Sequence, residues 1–332
     1  MDGLKKLILF VTCSLTGGLS FASDIIDIVS SSMAHTSTAV TPRALPRLNT
    51  RSVKPITHSD VEQTCHKISK KLGSVQFKDC FGRGLEYRGG LSVLDEPILV
   101  KEYPPLERRK AMGRVLVIGG IHGDEFSSIS IVFKWMNKLD KHHSGLFHWS
   151  IIPLLNPDGL LRGKSQRMNE NGVDLNRNFP TPDWHAETDK YWKLKTHKNP
   201  RRYPGVGPLS EPESKWIAEF IAEFKPDVIV SIHAPYGILD FDGPRQAPKK
   251  LGHLRLNLLG TYPGSLGNYA GTQKEIPVVT IELPYAGILP SPMQISRIWV
   301  DLVRWLKLNM SKPEVIQVKS PLKVKTDQTN PS

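Results

Sequence analysis

His122 and Glu125 stand three residues apart in the stretch RVLVIGGIHGDEF, residues 114–126. An imidazole and a carboxylate leaving the same corner of the chain make a plausible pair of zinc ligands. On their own they also fit a capped helix with a surface histidine and glutamate. Further down the chain, His233 closes the apolar run DVIVSIH and Glu282 closes IPVVTIE. Two histidines and one carboxylate suit catalytic zinc with a fourth position open to water, and bound zinc brings the pKa of water towards neutrality. A carboxylate outside the ligand set must then take the proton and pass it to a leaving amine, and Glu282 is the natural candidate. A cation beside the scissile carbonyl would complete the chemistry, with Arg167 or Arg162 within the same polar segment. Asn176-Arg177 suits a substrate carboxylate, which arginine can clamp with two parallel bonds.

These residues need elements to bring them together. Val115 to Ile118 reads as a strand buried on both faces, Gly119 and Gly120 as the turn after it, and Glu125 to Leu139 as the following helix. Phe147 to Leu155, Asp227 to Ile232 and Ile276 to Ile281 are further buried strands, and Asn156-Pro157-Asp158-Gly159 has the composition of a turn. Strand-like runs near Leu85 to Tyr87 and Pro97 to Tyr103 precede them, and Leu251 to Leu259 is apolar without a clear period. Helices are expected from Ser59 (opened by a capping box with Glu62), over Glu211 to Phe224, and over Ser291 to Leu308. The implied fold is α/β, a central twisted mixed and mainly parallel sheet flanked by helices. In such a sheet the residues just past strand ends gather along one edge, where open α/β sheets place their ligands.

The chain of 332 residues carries 44 Lys and Arg against 32 Asp and Glu, a formal charge of +12. No basic cluster alternates with aromatics, so nucleic acid is not an expected partner; the charge reads as diffuse and compatible with an anionic cell-envelope substrate. Lys5 and Lys6 precede an apolar run, Leu7 to Leu15, and Ser20-Phe21-Ala22 gives a small-residue cleavage pattern. Residues 1–22 therefore read as an export signal cleaved near Ala22, too short in its apolar part for a retained membrane span, and the location as periplasmic or secreted. Residues 23–57 read as a linker or pro-segment, 58–310 as the catalytic domain and 311–332 as a polar tail. Export would leave Cys65 and Cys80, expected to pair as one disulfide, with two buried thiols as the alternative.

GIHGDE, NPDG, GVDLNRNFP, SIHAP and TIELPYAG occur in the order found in the carboxypeptidase A-like zinc metallopeptidases, and the likeness runs from about residue 80 to 308. The chain resembles that family and, within it, the bacterial murein peptide amidases, which share its RxNxNGVDLNRNFP loop, Asp242-Gly243-Pro244-Arg245 and PGSLGNYAG. The resemblance implies one Zn2+ on His122, Glu125 and His233, Glu282 as general base, and Arg167 at the carbonyl. It implies Asn176, Arg177 and also Arg245 as substrate-binding groups, and leaves the role of Tyr262 open. It implies a peptidase acting on peptidoglycan stem peptides (muropeptides) at the γ-D-glutamyl–meso-diaminopimelate bond. The alternatives are an aspartoacylase-like amidohydrolase acting on small N-acyl amino acids and a non-catalytic wall-binding module.

Overall fold

The computed structural model describes residues 55–107 and 110–310. The expected export signal, the stretch up to residue 54 and the polar tail lie outside the described residues. Nine strands occur among them: β1 Glu86–Leu91, β2 Pro97–Tyr103, β3 Arg114–Ile118, β4 His148–Ile152, β5 Val228–His233, β6 Leu239–Asp242, β7 Lys250–Leu251, β8 Leu254–Arg255 and β9 Val278–Glu282. Seven form one sheet in the order β1-β2-β4-β3-β5-β9-β6. Its centre, β4-β3-β5-β9, is parallel, while β1, β2 and β6 join antiparallel at the edges. The α-helices are α1 His58–Lys71, α2 Phe77–Cys80, α3 Phe126–His142, α4 Pro157–Leu161, α5 Trp184–Lys190, α6 Pro212–Phe224 and α7 Pro292–Met310.

The continuous apolar runs of the central strands follow from burial on both faces. Val115 and Val117 of β3 pack into one core with Ile129, Phe133, Trp135 and the α7 residues Ile295, Ile298 and Leu302. Their neighbours Leu116 and Ile118 point the other way, into a second core with Ile217 and Ile221 of α6 and Phe179. Each such side chain is worth roughly 1.5–3 kcal/mol on burial, so a polar substitution on either face of β3 is equally damaging. Trp299 is only half-buried but stacks on Trp149 at 5.0 Å, tying α7 to β4. Among the described residues no helix is long and apolar enough to cross a membrane.

Several local expectations change. The first helix is capped by Thr57, whose side chain and that of Asp60 bond reciprocally, two residues before the Ser59 start read from the sequence. NPDG is a helix start rather than a simple turn: Asn156 caps α4 by accepting the Gly159 N–H at 2.8 Å. The ambiguous run 251–259 begins as the small β7–β8 hairpin. The antiparallel edge strand β6 was not foreseen. Cys65 and Cys80 form a disulfide with Cα atoms 5.4 Å apart, joining α1 to α2.

Candidate active site

Three parallel strands deliver the central residues. His233 and Glu282 are the last residues of β5 and β9 and are register partners, so their backbones lie side by side at the same sheet edge. His122 and Glu125 follow β3 after a turn through Gly120, whose φ of +59° favours glycine and where a Cβ would lie 2.8 Å from Ile129 and Leu154. The turn is also held by Asn156, whose amide donates to the carbonyls of Ile121 at 3.3 Å and Arg167 at 3.1 Å. Asn156 therefore fixes the His122 loop and the Arg167 loop to one another, while its neighbour Asp158 faces away, towards Ser92 and the Leu94 N–H.

His122 Nδ1 lies 2.7 Å from Glu125 Oε1, and His233 Nδ1 lies 3.2 Å both from Glu125 Oε2 and from His122 Nδ1. One ligand atom from each residue falls within 4.8 Å of the others, and all three side chains are buried. On the far side of each ring, His122 Nε2 is 3.1 Å from Asp174 Oδ1 and His233 Nε2 is 2.9 Å from Ser231 Oγ. Rings that donate Nε2–H to those oxygens turn the lone pairs of both Nδ1 atoms towards the same carboxylate. Two such lone pairs 3.2 Å apart need a cation between them, and a nitrogen–nitrogen–carboxylate set with outer partners fits zinc. Burial would raise the Glu125 carboxyl, but His122 and His233 beside it hold it below the usual carboxylate range. Asp174 is likewise held low by Arg167 and His122 against the effect of its burial.

Residues 87–239 match the zinc carboxypeptidase family. The murein peptide amidase A of Vibrio campbellii is 31% identical over 202 residues, 59% of this chain and 77% of the relative. That of Escherichia coli K12 is 28% identical over 251 residues, 71% of this chain and 96% of the relative. The crystal structure of thrombin activatable fibrinolysis inhibitor is similar in fold, with a TM-score of 0.55 at 18% identity, over 79% of this chain and 76% of that one. The chain belongs to the zinc carboxypeptidase family. It is accordingly a hydrolase of the metallocarboxypeptidase type, and the family's zinc has a matching donor cluster in His122, Glu125 and His233.

The cluster lies in a cleft of about 540 Å³ that also takes in Arg167, Asn176, Arg177, Tyr262 and Glu282. Glu282 is 7% exposed, and its Oε2 is buried without a hydrogen-bond partner among the described residues. Burial pushes its pKa up, Glu125 adds to the rise, and the two histidines oppose it. Arg167 donates Nε to Asp174 at 2.9 Å and Nη1 to Glu125 at 3.3 Å, which places it against the metal cluster. Arg162, the other arginine considered, instead faces Glu170 at 3.6 Å and does not line this cleft. Arg177 lies under the Tyr262 ring, 4.8 Å from its centroid, and Asn176 accepts the Leu266 N–H at 2.8 Å. Leu266 belongs to the PGSLGNYAG segment, residues 263–271, and Tyr262 immediately precedes it. Gly264 there (φ +73°) comes so close that a Cβ would stand 2.0 Å from the Arg177 carbonyl oxygen.

Arg245 is not brought to the cleft. Its guanidinium donates to the Asn309 carbonyl at the end of α7, because β6 ends at Asp242 and the chain turns away after it. The residue of that motif that reaches the cleft is Asp242, next to Asp240. Burial, with Asp240 adding, pushes Asp242 up to about 6. Asp174, Asp240, Arg201, Arg202 and Tyr236 were not singled out from the sequence, and Asp242 entered only as part of the motif with Arg245. Asp174 also carried a signal, as the acid inside GVDLNRNF that could neutralise nearby arginines.

Proposed function

We propose that the chain is a zinc peptidase that hydrolyses peptidoglycan stem peptides at the γ-D-glutamyl–diaminopimelate bond. The observation that carries the chemistry is Glu282, a buried carboxylate that lines the same cleft as the His122–Glu125–His233 cluster. The two murein peptide amidase relatives, matched along most of their length, support the substrate. His122, Glu125 and His233 would hold the ion, which when bound supplies a Lewis acid that acidifies water and polarises a carbonyl.

Glu282 then takes a proton from the attacking water and returns it to the departing amine, a role open to a carboxylate that lines the cleft beside the cluster. Arg167, held rigid by Asp174 and Glu125, faces the developing negative charge on the carbonyl oxygen. Arg177 and Asn176 hold the carboxylate of the leaving residue, and Tyr262 covers the Arg177 guanidinium. Processing of the chain through an export signal would put this activity beside the wall.

Digestion of purified muropeptides by the wild type and Glu282→Gln, followed by mass analysis, tests the reading. Release of diaminopimelate from the tripeptide by the wild type alone is expected. Intact muropeptides, or equal release by the variant, would refute it.

A further inference from the structure

Among the described residues, four arginines line the cleft, and the chemistry above uses two of them. Arg201 is already paired, with Nη2 2.8 Å from Asp124 Oδ2 and half of its side chain in solvent. Arg202 is different. Its guanidinium stands 3.9 Å from Asp174 Oδ2 and 3.5 Å from the Tyr236 hydroxyl, both long for a charged donor. Asp174 is also heavily shared: Oδ2 accepts from Arg167, and Oδ1 takes His122 Nε2 and the Asn176 N–H. Arg167, by contrast, is held closely by both Asp174 and Glu125, so Asp174 is already engaged where Arg202 approaches it. The crowding registers on Arg177: burial lowers its pKa and Arg167 and Arg202 lower it further, against the opposing pull of Asp174. With one carboxylate on Arg177, the Arg202 guanidinium, which makes no ion pair shorter than 3.9 Å among the described residues, is left for a second.

The position of Arg202 says where the second would be. Through Asp174 it adjoins the ring of His122, and through Tyr236 it adjoins the chain just past His233. Arg177 instead packs against Tyr191 and Tyr262. With the scissile carbonyl at the metal cluster and the leaving residue on Arg177, the acyl residue is left to the Arg202 side. In an α-linked peptide the acyl residue has no carboxylate there, because its α-carboxyl is spent in the amide. A γ-linked glutamyl residue keeps its α-carboxylate free.

We infer that Arg202 is a specificity residue that binds the free α-carboxylate of a γ-linked glutamyl acyl group, selecting it over α-linked or amidated donors. The inference rests on the substrate reading above. Its test is a cycle between protein and substrate: wild type, Arg202→Ala and Arg202→Lys, each on L-Ala-γ-D-Glu-diaminopimelate and on the same peptide with the glutamyl α-carboxylate amidated. A charged hydrogen bond at this site predicts that amidation costs the wild type roughly 10- to 100-fold in kcat/KM, mainly through KM. The Ala variant should lose that preference and the Lys variant regain part of it. Equal losses on both peptides in Arg202→Ala, or a wild type indifferent to amidation, would overturn the role of Arg202 alone. A wild type that leaves both peptides intact would overturn the substrate reading and this inference together.

Discussion

Replacing Glu213 by glutamine should stabilise the protein at neutral pH and do little in mild acid. Glu213 sits in the first turn of α6 with no exposed surface. Its Oε1 accepts the Val93 N–H at 3.3 Å and its Oε2 accepts the Asn169 amide at 3.1 Å, an amide that also donates to Glu211 at 2.7 Å. These partners are neutral, and Asp158 nearby adds negative charge. Burial therefore pushes the Glu213 carboxyl from 4.5 up to about 7, with Asp158 adding to the rise and its hydrogen bonds opposing it. Between those values the unfolded chain has lost the proton while the folded protein keeps it. Stability from this group is therefore full below the unfolded pKa, falls as pH climbs towards 7 and levels off above it.

A rise of that size is worth about 3 kcal/mol by the usual conversion. Glutamine does not ionise, so the stability difference between variant and wild type should grow by about 2.5 kcal/mol between pH 5 and 8, the rest of the change falling below pH 5. The glutamine nitrogen must face the Asn169 amide, which can add a constant offset of about 1 kcal/mol but no pH dependence. Urea unfolding of both proteins across that range, with zinc held constant, measures it. Groups such as Asp242, pushed up to about 6, titrate in both proteins and cancel in the difference. A difference that stays flat with pH would refute the argument that a buried, protonated carboxyl holds Asn169 and with it the loop carrying Arg167.

Removing the metal by chelation, or His122→Ala, should abolish hydrolysis; loss of a ligand present at a hundred times its dissociation constant lowers stability by about 2.7 kcal/mol, readable by calorimetry. Cys65→Ser should cost roughly 3 kcal/mol in the chain-entropy view, yet leave kcat/KM unchanged, because the bridge ties α1 to α2 and neither cysteine lines the cleft. Gly264→Ala should raise KM about tenfold or more with a smaller change in kcat, since the new methyl displaces the Arg177 backbone while Glu282 is untouched.

His122, Glu125, His233 and Glu282 were legible because each follows a run of residues apolar enough to be a strand buried on both faces. The parallel register then does the rest: once β5 and β9 pair, His233 and Glu282 share a level at the sheet edge without any further instruction. Strand β6 was hidden because it is only four residues long: Leu239-Asp240-Phe241-Asp242 does alternate apolar and acidic residues, but two repeats are too few to stand out, and both acids line the cleft. The same concealment explains Arg245. In sequence it is three residues from Asp242 and carries the stronger charge-recognition signal, yet the end of the strand decides which of the two stays at the site and sends the other to Asn309. Arg202 was harder still, since it lies in an irregular excursion and reaches the cleft only through Asp174 and Tyr236, 28 and 34 residues away along the chain. Strand ends broadcast the proposed catalytic residues because backbone pairing places them; the residue proposed to choose the substrate comes from a loop whose path is set by closure against the finished core. Chemistry should therefore be readable from sequence in this fold before specificity is.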